Sequence, residues 1–375
     1  MTLRVAYTLE QCWHRVPGGT ATSALGVARA ITSRTATGDV PEVELVGVSA
    51  RHRGRPPAEF APPVAVRALA LPRRALYESW HTLRRPRVEA ATGAVDVIHA
   101  TGMAIPPRTV PLVVTVHDLA FERYPEHATR NGLRFFRQSL ALTRRHADLV
   151  LCPSEATRRD CVTAGIEPER VRIVPWGVDA VGADTVGAGA DDVLARFGLG
   201  RRSFVLFVGT IEPRKNLATL AAAFRRVAAP GLRLAIVGPA GWNEDLDAAL
   251  APVRDRVRVL GFVHRHELDV LYANAAVFCY PSLFEGFGMP VLEAMAAGAA
   301  VITSAGTATE EVAGGAGVLV DPLDRDAIAS AIERVVGDEA YADGLRQAAR
   351  ARAATFTWAR AAQLTIEAYR ACVSP

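Results

Sequence analysis

Short apolar runs alternate with amphipathic stretches along almost the whole chain. An apolar run of about four to eight residues predicts a buried strand, whereas apolar residues at helical spacing predict a helix that packs through one face. The predicted strands of the first half are Leu3–Leu9, Val43–Val48, Val64–Ala70, Val95–His99, Leu112–His117, Leu149–Cys152 and Val171–Val174. Those of the second half are Ser203–Gly209, Leu232–Val237, Val257–Leu260, Ala275–Tyr280, Val301–Thr303 and Gly317–Asp321.

Helical patterns lie between these strands, and Ser154 is a predicted helix N-cap. The predicted helices are Ala21–Thr32, the partly helical Arg73–Glu89, Thr129–His146, Asn216–Val227, Glu244–Val253, His266–Asn274 and Arg325–Val336, followed by a long helical tail to Cys372. Strands and helices that alternate in this way predict an α/β fold, in which helices cover both faces of parallel sheets.

The length of the chain, 375 residues, favours two domains. Residues 180–192 are rich in glycine and alanine and are the best linker candidate. Two doubly wound domains in tandem are expected to present the carboxyl ends of their strands, and therefore their binding loops, to a cleft between them.

Composition narrows the class of protein. No run of about 18 or more apolar residues is present, so no transmembrane helix is expected. The first residues enter a strand pattern directly and lack the layout of a signal peptide. Five cysteines are scattered without a CxxC pair, which favours reduced thiols in a cytoplasmic protein.

Charge is distributed unevenly. Residues 1–180 hold 24 arginines and 17 acidic residues, a net charge of +7, and the remainder has a net charge of −3. A basic first half fits an anionic partner, although an arginine-rich composition alone would produce the same bias. The arginines of segments 73–87 and 130–145 could rest on anionic lipid headgroups at the inner face of a membrane, or they could form solvated helix faces. No nucleic-acid partner is expected.

The stretch Cys279–Ser304 carries the densest chemical signal. It contains an apolar strand, a loop with two glycines, and a helix that Pro290 opens and Gly298 closes. Glu285 and Glu293 therefore lie in the loop and on the first turns of the helix, where exposed backbone amides attract anions. Lys215, the only lysine of the chain, suggests a second position that needs a compact ammonium.

Four motifs occur in the order of a known enzyme family. Glu285-Gly-Phe-Gly-Met-Pro-Val-Leu-Glu293 resembles the E-x7-E signature of retaining nucleotide-sugar glycosyltransferases of the GT-B fold, glycosyltransferase family 4. Val208–Leu217 resembles the diphosphate-binding segment of that family, and Val114–Leu119 with Tyr124-Pro-Glu126 resembles its active-site histidine segment. Gly18-Gly19 matches its N-terminal glycine loop, and Thr357-Trp358 resembles the segment that crosses back onto the first domain.

The resemblance implies a GT-B enzyme with two Rossmann-like, doubly wound parallel-sheet domains that face each other across a cleft. Residues 1–180 would bind the acceptor, and a C-terminal helix of about 358–375 would pack back on them. Residues 181–357 would bind the nucleotide-sugar. The family uses no metal, and the sequence contains no clustered His, Cys and Asp ligand set, so neither a metal nor a cofactor is expected.

The same resemblance implies roles for individual residues. Arg214 and Lys215 would neutralise the departing diphosphate, although many relatives place an arginine where this chain has Thr210. Glu285 would lie near the sugar ring and Glu293 would take the ribose hydroxyls. His117 would contact the donor sugar, with Asp118 orienting it or contacting the acceptor. The predicted catalytic residues are His117, Asp118, Arg214, Lys215 and Glu285.

The remaining predicted contacts are with the nucleotide-sugar. The amides of Phe287, Gly288 and Met289 would bind hydroxyls, Gly18 and Gly19 would approach a phosphate, and backbone groups near Val263 would contact the base. The predicted nucleotide-sugar-binding residues are Gly18, Gly19, Gly209, Thr210, Val263, Phe287, Gly288, Met289, Pro290, Val291 and Glu293. Arg15 and Thr20 are candidate neighbours of the glycine pair.

The predicted reaction moves a hexose, with retention, to a hydroxyl of a glycan, a glycolipid or a small molecule. GDP-mannose is the leading donor because the variants around His117 and Lys215 resemble the mannosyltransferase-like branch, and UDP- and TDP-sugars are the alternatives. A phosphorylase would need a pyridoxal phosphate lysine, and the single lysine lies in the diphosphate motif. A non-catalytic scaffold of the same fold is the other alternative.

Overall fold

The computed structural model describes residues 2–14, 17–37, 43–182, 187, 189–239, 241 and 246–373. The chain divides into two compact units, Met1–Gly177 with Thr357–Pro375 and Val178–Phe356. Of the predicted linker 180–192, residues 183–186 and 188 lie outside the described residues, as do Glu244 and Asp245 of a predicted helix.

Thirteen strands run through the described residues and form two sheets. The strands are β1 Leu3–Thr8, β2 Val43–Ser49, β3 Val66–Ala68, β4 Val97–Ala100, β5 Leu112–Thr115, β6 Leu149–Cys152, β7 Val171–Ile173, β8 Phe204–Val208, β9 Arg233–Val237, β10 Val257–Gly261, β11 Val277–Tyr280, β12 Val301–Ser304 and β13 Val318–Val320.

Fifteen α-helices lie within the same described ranges. They are α1 Gly18–Thr37, α2 Arg73–Thr82, α3 Glu89–Thr92, α4 Ala120–Arg123, α5 Arg130–His146, α6 Glu155–Thr163, α7 Ala190–Arg196, α8 Leu217–Phe224, α9 Leu246–Leu250, α10 Arg265–Asn274, α11 Met289–Ala296, α12 Ala308–Ala313, α13 Arg325–Gly337, α14 Glu339–Ala353 and α15 Trp358–Val373. Short 3-10 helices include Glu10–Trp13 and Pro213–Lys215.

The first unit contains a parallel sheet with the order β3-β2-β1-β4-β5-β6-β7. Alternate residues of β1 point to opposite faces, as the strand period requires. Val5 and Tyr7 join a core with α1 and α15, whereas Ala6 joins a core on the other face with Trp80 and Leu140. Both faces of this sheet are therefore buried, which explains why its strands are continuously apolar instead of alternating.

The C-terminal helix α15 packs on α1 within the first unit. A Cβ atom at Gly26 of α1 would lie 2.6 Å from the indole ring of Trp358, so only glycine admits this ring. The helical tail to Cys372 is divided into α14 and α15, which are separated at residues 354–357. The Thr357 hydroxyl accepts the backbone N–H of Arg360 at 3.1 Å, and this cap starts a new helix.

The second unit contains a parallel sheet with the order β10-β9-β8-β11-β12-β13. Its central strand, β8, is almost completely buried, and the side chains of Phe204 and Phe207 are fully covered. The strands β8 and β11 are neighbours in the sheet. Because they are parallel, the loops that follow Val208 and Tyr280 emerge at the same edge.

The predicted α/β class, with two Rossmann-like parallel-sheet domains, is confirmed. The N-cap at Ser154 is confirmed as well, since its hydroxyl accepts the N–H of Thr157 at 3.0 Å.

The predicted positions of His117 and of the Gly18-Gly19 pair relative to their secondary-structure elements were wrong. Strand β5 ends at Thr115, so His117 lies beyond the strand, and Gly18 and Gly19 are the first two residues of α1 instead of preceding it. Every helix in the described ranges is too short or too polar to cross a bilayer.

Candidate active site

The most strongly connected polar cluster lies at the carboxyl edge of the second sheet. Lys215 belongs to the 3-10 helix after β8, and Glu285 belongs to the loop after β11. Two hydrogen bonds to backbone carbonyls hold these segments together. The N–H of Leu283 donates to the carbonyl of Arg214 at 2.8 Å, and the Asn216 side-chain amide donates to the carbonyl of Pro281 at 3.0 Å.

The Glu285 carboxylate is the centre of this cluster. Its Oε1 accepts hydrogen bonds from the Lys215 ammonium at 2.6 Å, the Ser282 hydroxyl at 2.8 Å and the Tyr280 hydroxyl at 2.9 Å. Its Oε2 accepts one from the Arg214 guanidinium at 3.2 Å. Lys215 is 7% exposed and Glu285 8%, so these charges face each other with little solvent between them.

Arg214 connects the cluster to a second carboxylate. Its Nη2 donates to Oε1 of the buried Glu212 at 2.7 Å, and its Nη1 also donates to the carbonyl of Phe284 at 3.0 Å. Two cations and two carboxylates therefore alternate in one network. Such pairing is what allows charged groups to remain buried at all.

The electrostatics of the cluster keep Glu285 ionised. Burial by itself would raise the pKa of Glu285, but the adjacent Lys215 and Arg214 cations outweigh it and bring that pKa to about 2. Burial, assisted by Arg214, lowers the pKa of Lys215, while Glu285 and Glu212 oppose the shift. Burial raises the pKa of Tyr280 well above its usual value, so this hydroxyl remains protonated.

Gly209 and Thr210 directly follow β8, and Gly209 lies beside the cluster. A Cβ atom added to Gly209 would lie 3.7 Å from the Tyr280 ring and 3.9 Å from Cε of Lys215. The predicted residues Gly209, Lys215 and Glu285 are thus brought together in space.

Helix α11 begins beside the same loop. Its N-cap Gly288 has φ of +106°, and a Cβ atom there would lie 2.7 Å from Cγ2 of Thr309, so glycine is required on both counts. Phe287 and Met289 are buried, and Pro290 lies in the first turn. The N–H of Val291 donates to the carbonyl of Gly288 at 3.0 Å, so Val291 has already used its backbone donor within the helix.

Glu293 lies on α11 among fully buried apolar neighbours and forms a separate charged group. Arg265, at the start of α10, pairs with one oxygen of its carboxylate and with Asp269, the latter at 2.9 Å. The Tyr272 hydroxyl donates to the other Glu293 oxygen at 3.2 Å. The carboxylate is therefore held in place from α10.

The predicted base contact lies beyond β10. Val263 is 7% exposed, whereas the neighbouring Phe262 is 65% exposed. The Phe262 ring meets the imidazole of His264 edge to face, with centroids 5.4 Å apart. This segment therefore presents an aromatic surface next to a buried valine.

His117 lies at the carboxyl edge of the first sheet. Its Nε2 is 2.8 Å from the carbonyl oxygen of Thr101, and since a carbonyl only accepts, Nε2 carries the proton. Among the described residues, its buried Nδ1 has no hydrogen-bond partner. Burial lowers the pKa of His117, so the neutral ring offers Nδ1 as an acceptor. A cavity of about 20 Å³, room for one water molecule, adjoins His117, His99 and Trp176.

Other predicted residues of the first unit have local partners. Asp118 Oδ1 accepts the N–H of Ala120, the first residue of α4, at 3.0 Å. Gly18 and Gly19 are exposed, and a Cβ atom at either would meet no atom within 4 Å. The Thr20 hydroxyl donates to the carbonyl of Pro17 at 3.1 Å, and Arg15 lies outside the described residues.

The basic face of α5 is partly neutralised. Arg134 pairs with Glu78 of α2 at 3.1 Å, and Arg137 pairs with Glu122 of α4 at 3.5 Å. All four side chains are well exposed. These acidic partners reduce the net charge that this face offers to an anionic surface.

Five partners of the site were missed by sequence reasoning, and they are Glu212, Arg265, Tyr272, Tyr280 and Ser282. Glu212 belongs to the recognised motif Val208–Leu217. Tyr280 and Ser282 flank Pro281, shortly before Glu285. For these three residues, closeness along the chain to a predicted site residue was an available signal. Arg265 and Tyr272 come from another helix and carried no such signal.

Within the described ranges, no group of three or more His, Cys, Asp and Glu side chains is arranged to hold a metal ion.

Comparison with protein-family models matches both halves of the chain. Residues 17–181 match the model described as "Glycosyltransferase Family 4", and residues 196–352 match "Glycosyl transferases group 1". The chain is 31% identical over 293 residues to O-antigen chain mannosyltransferase B of Escherichia coli, covering 73% of this chain and 74% of that protein. The chain therefore belongs to the family 4 glycosyltransferases and is an enzyme of that class.

Two further similarities extend this result. The chain is 30% identical over 319 residues to an MMP alpha-(1->4)-mannosyltransferase of Mycolicibacterium hassiacum, covering 78% of this chain and 75% of that protein. The crystal structure of HepE from Anabaena in complex with UDP and glucose superposes with a TM-score of 0.74 at 19% identity, covering 98% of this chain and 100% of that chain. The second similarity concerns the fold alone.

Proposed function

We propose that this glycosyltransferase moves a hexose, with retention of configuration and without a metal, from a nucleoside-diphosphate sugar to a hydroxyl of a glycan, a glycolipid or a small molecule. Mannose from GDP-mannose is the leading donor. The observation that carries the proposal is the buried cluster in which Lys215, Arg214 and Glu285 converge from two neighbouring strand ends. The mannosyltransferase names of the two similar proteins support the choice of sugar.

The leaving diphosphate is assigned to the two cations. Lys215 has three N–H groups, and two of them have partners among the described residues, Tyr280 and Glu285. The third can donate to a phosphate oxygen as negative charge develops there. Preorganised donors of this kind stabilise a transition state because they need not reorganise during the reaction.

The sugar is assigned to Glu285 and His117. Oε1 of Glu285 already accepts three hydrogen bonds, whereas Oε2 accepts one from Arg214, so a sugar hydroxyl would approach Oε2. Nδ1 of His117 would accept a second hydroxyl. The reaction then needs no protein nucleophile, because front-face attack lets the donor phosphate accept the proton of the acceptor hydroxyl.

The nucleotide is assigned to the helix ends and the β10 loop. Glu293, held by Arg265 and Tyr272, would accept the ribose hydroxyls, and backbone groups near Val263 would contact the base. The amides of Phe287, Gly288 and Met289 would bind hydroxyls, and Gly18-Gly19 would approach a phosphate. Pro290 and Val291 would contribute through the shape of the first turn, since neither has a free backbone donor.

A UDP- or TDP-sugar is the second candidate donor. The structural neighbour HepE was crystallised with UDP and glucose, and the carboxylate of Glu293 would recognise the ribose of UDP as well as that of GDP. We further propose a cytoplasmic site of action with peripheral contact to anionic membrane through Arg134 and Arg137. Binding to anionic vesicles that weakens with salt and on charge reversal at both arginines supports this contact, and binding that is absent or insensitive to salt rejects it.

A turnover assay tests the proposed function. The purified chain is incubated with GDP-mannose, UDP-glucose, TDP-glucose or ADP-glucose, an α-mannoside acceptor and a chelator, and free nucleotide is measured. The expected result is acceptor-dependent release of GDP that persists in the chelator, with an α-linked product by NMR. Loss of turnover in the chelator contradicts metal independence, a β-linked product contradicts retention, and equal rates with every donor contradict the choice of GDP-mannose.

A further inference from the structure

Tyr280 occupies a fixed position beneath the cluster. It is the last residue of β11 and is fully buried. Its ring packs against Phe207 and Phe278, each with its centroid 5.7 Å away. Because the ring is fully buried and close-packed, its hydroxyl has one location in the site.

The hydroxyl of Tyr280 bridges the two opposite charges. It lies 2.7 Å from Nζ of Lys215 and 2.9 Å from Oε1 of Glu285. An ammonium only donates and a carboxylate only accepts, so the phenol oxygen accepts from Lys215 and the phenol proton points to Glu285. This is the only arrangement of protons that satisfies both contacts.

We infer that Tyr280 is a positioning residue of the transfer reaction, whose hydroxyl holds the Lys215 ammonium so that one N–H remains available to the leaving phosphate. The inference rests on the proposed function and assigns Tyr280 no proton transfer. Lys215 keeps its proton throughout, and the bond that breaks is the one between the sugar and the diphosphate.

The Tyr280 hydroxyl matters to Lys215 because the ammonium of Lys215 is buried. Lys215 has little contact with solvent, so water cannot replace a lost partner easily. Without the phenol oxygen, Lys215 would keep Glu285 as its partner and would have two N–H groups without a fixed direction. The ammonium would then be free to move toward Glu285 and away from the site where negative charge develops.

Tyr280→Phe removes only the hydroxyl and keeps the packed ring. We expect kcat to fall about 10-fold to 100-fold, the range for a hydrogen bond to a charged group, while KM for the donor changes much less. The loss of a hydrogen bond to the charged form also makes Lys215 easier to deprotonate, so the alkaline limb of the pH–rate profile should move to lower pH.

Tyr7→Phe is the matched control. Tyr7 is also fully buried, and its hydroxyl donates to the backbone carbonyl of Ala24 in the first unit at 2.9 Å. This variant should keep the wild-type kcat and the wild-type pH–rate profile. Melting temperatures of both variants show whether either substitution disturbs the fold.

A double-mutant cycle separates positioning from general damage. If Tyr280 acts through Lys215, the Tyr280→Phe change should lower kcat in the wild-type chain but have no further effect on kcat in a Lys215→Met chain, as measured by steady-state kinetics. Equal effects in both backgrounds overturn the inference, as does a Tyr280→Phe enzyme with wild-type kcat and pH profile. A wild-type chain that transfers no sugar overturns the proposed function as well, whereas an active wild type with an unchanged Tyr280→Phe variant rejects the role of Tyr280 alone.

Discussion

Lys215 and Glu285 are 70 residues apart in the chain, and their side chains are joined by a hydrogen bond of 2.6 Å between Nζ and Oε1. The contact exists because β8 and β11 are parallel neighbours, so the segments that follow them leave the sheet at one edge. The only lysine of the protein is thereby buried against a carboxylate. The two side chains therefore act as a pair. Substituting either residue should change the electrostatic environment of the other.

Lys215→Met keeps most of the side-chain volume but removes the charge and the donors. We expect kcat/KM for the nucleotide-sugar to fall about 100-fold to 1,000-fold, the range for loss of a transition-state donor. Steady-state kinetics with GDP-mannose measure the effect. Arg225→Met removes an exposed cation at the end of α8 and is the control, with kinetics equal to wild type. Comparable losses in both variants would show that Lys215 has no special role.

Glu285→Gln leaves the buried Lys215 without its carboxylate partner and leaves the half-buried Arg214 with Glu212 alone. We expect the free energy of unfolding to drop by about 3–5 kcal/mol at pH 7, as for other buried pairs that lose one partner. Urea unfolding measures the drop. Asp326→Asn, which breaks an exposed pair with Arg226, should cost less than about 1 kcal/mol.

The stability difference between wild type and Glu285→Gln should also depend on pH. The Glu285 pKa of about 2 lies below the 4.5 of an unperturbed glutamate, so the folded state favours the ionised form. The contribution is complete above pH 4.5 and is lost as the pH falls toward 2. The two unfolding curves should therefore converge in acid, and a constant difference across this range would contradict the pairing.

A pair of substitutions at His117 separates its two nitrogen atoms. His117→Gln can still donate to the Thr101 carbonyl but lacks an acceptor at the Nδ1 position, whereas His117→Asn places its carboxamide near Nδ1 and loses the anchor. If Nδ1 accepts a donor hydroxyl, the asparagine variant should retain about 10-fold more kcat/KM than the glutamine variant. The reverse order would mean that His117 only anchors the loop.

His99 should make the first unit sensitive to acid. The ring is buried between the Tyr369 hydroxyl at 2.6 Å and the Thr115 hydroxyl at 2.8 Å, and burial lowers its pKa from 6.5 to about 3. The unfolded chain therefore binds the proton first, and the free energy of unfolding should fall as the pH drops from 6.5 toward 3.

His99→Gln is the variant that checks this titration. It should be less stable than wild type at pH 7 but should lose less stability over the same pH range, as measured by urea unfolding. Equal slopes for the two proteins would show that His99 does not titrate on unfolding in this range.

Much of the fold follows from local patterns in the sequence. The apolar runs that became β6 and β8 are strands buried on both faces, and their length and flanking turns identify them. Periodicity alone did not show the break between α14 and α15, because the Thr357 cap acts within a stretch that otherwise has strong helical periodicity, and only the resemblance of Thr357-Trp358 to the crossing segment indicated it. His117 was placed on β5 for a similar reason, since apolar character continues past Thr115, where strand pairing stops.

Part of the candidate site was likewise predictable from the sequence, and part was not. Lys215, Glu285 and Glu293 were predictable because each belongs to a contiguous motif with a chemical reason for its residue types. The partner of Glu293, Arg265, was not, because it reaches α11 from α10 and depends on how two helices pack. The direction of the Tyr280 proton also depends on three side chains meeting in space, which no spacing along the chain reveals.

The central claim is that the Lys215–Glu285 cluster binds a nucleoside-diphosphate sugar. Thermal-shift measurements with GDP-mannose, UDP-glucose, TDP-glucose and ADP-glucose test it without knowledge of the acceptor. At a concentration about 100 times Kd, GDP-mannose should raise the melting temperature of the wild-type chain by about 5 °C or more, and the Lys215→Met variant should show little change. The absence of a shift with all four donors, or equal shifts in both proteins, would contradict the account.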